Sequence, residues 1–209
     1  MEADDQRAAP VTFAGGLLDP YRHVCTFSRW PEEADPALDP FLVDGLTHGD
    51  RLLYLVDAAA TAAPVNRLRH LGYDAGLLLK QRRCEVRTWT ETYLRGGSFD
   101  QERVFGLLDG LLLDPTSPRI RLMCDMGWAV NREDVAEELI EFEARANFLH
   151  ARHEHVVICT YDAAMFDGAF IIDVLRTHPL VLLGGVLHEN PFFVDPAEFL
   201  EERGRRAVG

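Results

Sequence analysis

Imidazole, thiol and carboxylate side chains recur in this chain inside apolar runs, where a plain core segment would carry aliphatic residues. His23 and Cys25 stand two apart in one run, Cys124 and Cys159 lie in two others, and His178 sits before Pro179 and a fourth. Thiolate sulfur and imidazole nitrogen select zinc, iron or copper, so His23, Cys25, Cys159 and His178, with Cys124 beside them, are candidate metal ligands. On a strand His23 and Cys25 point to the same face, which permits a shared ligand without requiring one. The spacing is not that of a zinc finger or ribbon, and small buried thiols beside a hydrogen-bonded histidine would leave the same pattern. A cysteine nucleophile needs a thiolate paired with a histidine, and nothing local ties His178 to one cysteine. Glu143 and Asn147, four apart, share a helix face that could turn inward to hold a polar ligand head. On the same helix Glu141 and Arg145 fit a solvated ion pair.

The block from Thr177 to Phe193 surrounds a short buried run with polar residues and glycines. Pro179 cannot extend the helix before it, and Gly184-Gly185 allow either a bend or a close ligand approach. His178 reads as a cap for that helix's last carbonyls or as a ligand contact, and Asn190-Pro191 as a turn or a contact.

Several activities lack their motifs. A phosphate loop needs glycines and a lysine after the first strand, whereas Phe27-Ser28-Arg29-Trp30-Pro31-Glu32-Glu33 has neither. Gly-x-Gly-x-x-Gly and Gly-x-Ser-x-Gly are absent as well, so no catalytic residue is assigned and no cofactor is expected beyond the metal candidates. With 21 basic against 34 acidic residues and a formal charge of −13, the chain is ill suited to direct nucleic-acid binding. Four cysteines without a Cys-x-x-Cys pair read as reduced thiols. No apolar stretch has the length of a membrane span and the first residues are not a secretory signal, so a cytoplasmic location without membrane contact is expected.

The elements that must position these residues follow from periodicity. Apolar runs at 23–28, 51–56, 84–89, 120–124, 156–161 and 180–183 read as strands. Amphipathic segments at 41–47, 65–72, 104–113, 133–150, 170–177 and 196–203 read as helices. Their alternation predicts an α/β domain with a mostly parallel sheet over residues 20–203, a flexible leader over 1–19 and a tail over 204–209. In such sheets ligands bind beyond the carboxyl ends of the strands. That places Ser28 to Trp30, Asp57, Trp89, Asp125 to Trp128, Tyr161-Asp162 and Gly184-Gly185 around a crevice. Trp30, Trp89 and Trp128 then either line it or plug the top of the core.

Taken in order, these blocks resemble a known family. His23-x-Cys25-x-Phe27, Pro40-Phe41 with Gly45-Leu46, and Tyr54-Leu55-Val56-Asp57 are similar to successive segments of the MEDS sensory domain. So are Met126-x-Trp128, Phe142-Glu143-Ala144 with Asn147, Cys159-x-Tyr161-Asp162, and His178-Pro179 with Asn190-Pro191-Phe192. The resemblance implies a RecA-like three-layer fold without its phosphate loop, serving prokaryotic signal transduction and transcription regulation by sensing simple hydrocarbon derivatives. It implies ligand or structural roles for His23, Cys25, Glu143, Cys159, Tyr161, Asp162, His178 and Asn190. Asp125 stands where the family often carries glutamate. Since the resemblance spans nearly the whole chain, the expected output is a signalling partner of the kinase, regulator or anti-sigma type, or a homo-oligomer. The alternatives are a metal- or thiol-dependent enzyme and a ligand-free acidic partner-switching protein.

Overall fold

The computed structural model describes residues 11–27, 37–114, 117–130 and 132–206. A small hairpin comes first, β1 (Thr12–Phe13) against β2 (Gly16–Leu17), followed by β3 (His23–Phe27), β4 (Arg51–Val56), β5 (Cys84–Thr88), β6 (Ile120–Asp125), β7 (Val156–Tyr161), β8 (Leu180–Leu183) and β9 (Val186–Glu189). Strands β3 to β9 form one sheet in the order β5-β4-β6-β7-β3-β8-β9, parallel throughout except for β9.

Helices cover both faces, which is why the central strands are apolar on both sides. On one face Val24, Tyr54, Met123, Ile158 and Leu182 meet α1 (Leu38–Thr47), α2 (Ala62–His70) and α3 (Ala75–Lys80). On the other, Cys25, Leu55, Cys124, Cys159 and Val181 meet α4 (Gln101–Leu112), α5 (Glu133–His150), α6 (Gly168–Thr177) and α7 (Pro196–Arg206). The RecA-like three-layer α/β class expected from the sequence is the class observed. No described helix is long and apolar enough to cross a membrane.

Several boundaries differ from expectation. Within the stretch placed in a flexible leader, Val11, Phe13 and Leu18 are buried, and Leu187 donates its amide to the Ala14 carbonyl. Gly184 and Gly185, at φ +57° and +78°, form the two-residue turn of a β8–β9 hairpin. Strand β9 was not anticipated, because the polar His188 and Glu189 disguise it. The pair of glycines between two apolar runs was nonetheless a hairpin signal. Helix α3 was also missed; it is short, and Asp74 caps it by accepting from the Leu77 amide. Helix α7 continues to Arg206, past the boundary expected at 203.

One buried charge ties α1 to the sheet. Arg121, fully buried on β6, donates through Nε to Asp50 at 2.7 Å, through Nη2 to Asp44 at 2.5 Å and through Nη1 to the Phe41 carbonyl. Its guanidinium lies 4.4 Å from the centre of the Phe41 ring. Gly45 makes room for it, since a Cβ there would come within 2.5 Å of Arg121 Nε.

Candidate functional site

Side-chain alternation on β3 and β7 brings His23, Cys25, Cys159 and Tyr161 to the face covered by α5. Helix α5 directs Glu143, Asn147 and His150 back at them, and the turn between α6 and β8 adds His178. Glu143, at 1% exposure, is the centre of this group. It accepts a 2.7 Å hydrogen bond from the Tyr161 hydroxyl, and its Oε2 lies 3.3 Å from His23 Nε2 and 3.7 Å from His178 Nε2. Cys159 Sγ is 3.7 Å from His23 Nε2. The His23 and His178 rings lie 4.0 Å apart, centre to centre.

The surrounding carbonyls fix which nitrogen of each imidazole carries the proton. Asn147 donates its amide to the carbonyls of Glu143, Ala144 and Thr177, so its Oδ1 can only accept, and His23 Nδ1 donates to it at 3.2 Å. His178 Nδ1 donates to the Val174 carbonyl at 2.8 Å. In the neutral form with the proton so placed, each ring directs an Nε2 lone pair at Glu143 Oε2. His178 Nε2 has no hydrogen-bond partner.

The electrostatics match this arrangement. Burial, with His23 beside it, pushes His178 down to about 3, so its ring stays neutral. Burial, then the Glu143 charge, raises the Tyr161 hydroxyl well above its ordinary range, keeping it a donor.

The expected site residues do not all come together. His23, Glu143, Asn147, Cys159, Tyr161 and His178 converge as described. Cys25 does not join them: its thiol donates to the Leu180 carbonyl at 3.7 Å. Asn190 is a capping residue, donating to the Leu175 and His178 carbonyls and accepting from the Phe192 amide. Asp57, Trp89, Asp125 and Asp162 sit at the carboxyl ends of the strands. There Asp125 accepts from the Gly127 amide and Trp89 Nε1 donates to the Asp125 carbonyl. Trp128 is a core plug, stacked 5.0 Å from Tyr93 and tilted 4.7 Å from Phe99. Trp30 lies outside the described residues. Arg145 pairs with Gln101 and Glu102 of α4 instead of Glu141.

His150 and Tyr93 line the same buried region and were not anticipated. Glu143, Asn147 and His150 follow helical spacing, a signal that would have added His150. Tyr93 lies in a loop and carried none.

Two spaces adjoin the group. A void of about 10 Å³, enough for one water-sized object, lies among His23, Cys124, Glu143, His150 and Cys159. Outside it a cavity of about 750 Å³ opens between Tyr21, Arg22, His23, Asn147, His150 and Phe193. His23 and His150 line both. This cavity opens where β3 begins and α5 ends, the opposite end of the sheet from the crevice expected by the strand-end rule. That rule describes ligands held by loops at the carboxyl ends, whereas the polar groups here come from strand interiors and from α5.

Fold and site together define a three-layer α/β domain with no phosphate-loop sequence and a sealed imidazole, thiol and carboxylate centre under α5. Residues 22–179 match the MEDS model, the methanogen/methylotroph DcmR sensory domain, and the chain belongs to this family. It is similar to the transcriptional repressor DcmR of Methylorubrum extorquens strain DM4, at 24% identity over 184 residues, covering 83% of this chain and 64% of that protein. The chain thus spans less than two thirds of the relative's length.

Proposed function

We propose that this protein is a small-molecule sensor that admits a simple hydrocarbon derivative to the cavity behind His23 and passes its occupancy to a signalling partner. The observation that carries this reading is the juxtaposition, in a sensory-domain family, of that cavity with the polar centre through His23, Asn147 and His150. Tyr21, Phe148, Pro179 and Phe193 offer an apolar wall for the ligand body, while the imidazoles and the Asn147 amide face its polar or halogenated end.

A ligand shifts a conformational equilibrium only through its different affinity for the two states. The chain segments carrying Asp19 to Arg22 and Phe193 to Pro196 frame the mouth, and Tyr21 meets Phe193 edge-on at 5.9 Å. Occupancy that parts or clamps these segments alters a surface a kinase, regulator or anti-sigma type of protein can read. The charge of −13 favours such a protein partner over direct contact with nucleic acid. The cytoplasm is the proposed location.

Thermal melting with short alcohols, amines, halides and methylated compounds tests the reading. A true ligand at a hundred times its Kd adds about 2.7 kcal/mol of stability. Ala151→Trp, at an exposed position on the cavity wall, should project its indole into the cavity, obstruct the ligand and abolish the shift while the unliganded melt stays put. If none of these compounds moves the melting curve, or if the shift survives Ala151→Trp, the proposal fails.

A further inference from the structure

We propose that His23, Glu143, Cys159 and His178 bind one divalent transition-metal ion, zinc by preference, in a four-coordinate site sealed from solvent. Their four ligand atoms lie within 4.8 Å of one another and all four residues are buried. A tetrahedral ion with bonds of about 2.0–2.3 Å spaces its ligand atoms roughly 3.3–3.8 Å apart. The separations here are 3.3 Å from His23 Nε2 to Glu143 Oε2, 3.7 Å from His178 Nε2 to the same oxygen, and 3.7 Å from His23 Nε2 to Cys159 Sγ.

The protons decide between an ion and an ordinary hydrogen-bond network. Both histidines spend their Nδ1 protons outward, on Asn147 and on the Val174 carbonyl, leaving lone pairs that converge on a carboxylate oxygen. A Cys159 thiol can satisfy His23 Nε2, yet His178 Nε2, at 0% exposure, still faces Glu143 with no donor. An acceptor facing an acceptor in the core carries a desolvation penalty that nothing repays. One dication satisfies all four groups at once. The Cys159 proton leaves to solvent on binding, so thiolate plus carboxylate balance the two positive charges and the core holds no net charge.

The surrounding hydrogen bonds are those a metal site requires. Imidazoles that ligate through Nε2 are oriented by an acceptor at Nδ1, and ligating carboxylates are hydrogen-bonded in turn. Here Asn147 and Val174 hold the two rings, and the Tyr161 hydroxyl holds Glu143. With four protein ligands and a neighbouring void of about 10 Å³, the ion is a structural clasp joining β3, β7, α5 and the α6–β8 turn. The donor set mixes nitrogen, oxygen and sulfur, which suits zinc and excludes calcium or magnesium. Cys25, the neighbouring thiol that the sequence placed among the candidates, is outside the clasp.

Metal analysis of the full chain purified without chelators, and cobalt(II) spectra of the chain refolded with that ion alone, test the assignment. About one zinc per chain is expected, as are the intense visible bands of four-coordinate cobalt with a thiolate charge-transfer band in the near ultraviolet. Cys159→Ser should remove the charge-transfer band, Cys25→Ser should leave it, and Tyr161→Phe should weaken metal affinity by about 10–100-fold. Wild-type protein that folds free of metal and takes up neither zinc nor cobalt overturns the proposal. So does a cobalt spectrum that Cys159→Ser does not change. Both decisive measurements survive if more drastic variants such as His178→Ala fail to fold.

Discussion

Replacing Gly45 by alanine tests the buried Arg121 anchor, because the anchor reverses the sign that helix propensity alone would give. In an ordinary helix interior Gly→Ala stabilises by about 1 kcal/mol. At position 45 the new Cβ would stand 2.5 Å from Arg121 Nε and 2.6 Å from its Cδ, separations that force a movement. Arg121 has little freedom to move: it is 0% exposed and engaged with Asp50, Asp44 and the Phe41 carbonyl. Overpacking costs about 1–3 kcal/mol, and each charge-assisted bond that is lost adds about 1.5–3 kcal/mol. Offset by the propensity gain, the net loss is about 2–4 kcal/mol, or roughly 5–15 °C in Tm for a chain of this size. Far-UV circular dichroism melts of Gly45→Ala and of Gly106→Ala measure it. Gly106 lies in α4 with nothing within 4 Å of the added Cβ, so that variant should melt at or slightly above the wild type. A Gly45→Ala protein as stable as Gly106→Ala would refute the close packing on Arg121.

Three further outcomes follow from individual contacts. Burial raises the Asp125 carboxyl to about 6, so its ionised form opposes folding. That cost is present above pH 6 and is relieved as the pH falls towards 4. Asp125→Asn should therefore add about 2 kcal/mol at pH 7.5 and almost nothing at pH 4, read from urea midpoints at the two values. Asn190→Leu should cost about 1–3 kcal/mol in the same assay, since the Leu175 and His178 carbonyls lose their buried donor. At Gly184, where φ is +57°, asparagine should be tolerated and valine should lower stability by about 1–2 kcal/mol, checked by paired thermal melts.

Much of the architecture was legible because its signals are local. The burial of parallel strands on both faces left apolar runs at 51–56, 120–124 and 156–161, all of which are strands. Helix α5 was legible end to end over Glu133–His150 from its capping pattern and its apolar spacing. The misses have equally local causes. The polar His188 and Glu189 hid β9 despite the two-glycine turn before it, and the six-residue α3 is too short for its amphipathicity to stand out. The inward orientation of Glu143 and Asn147 was one of two readings open at helical spacing. Only the neighbours on β3 and the α6–β8 turn decide it.

The candidate centre was harder to read because it depends on strand order, which no periodicity encodes. His23, Glu143, Cys159 and His178 are scattered through the chain, and they meet because β3 inserts between β7 and β8. Had β3 paired at the edge beyond β5, the same residues would sit in the same elements with no common centre. The register matters as well: Cys25 and Cys159 are direct partners, and so are Cys124 and Cys159, giving a row of thiols across three strands. Of that row Cys159 is the thiol in contact with His23, its Sγ 3.7 Å from Nε2 although the direct partner of His23 on β7 is Val157. Residue type thus nominated His23, Cys159 and His178, which converge, and with them Cys25, whose thiol turns to the Leu180 carbonyl. Glu143 entered the sequence reading as a ligand contact. Its position between two Nε2 lone pairs, visible only once the strands are ordered, makes it the group around which a metal ion can close.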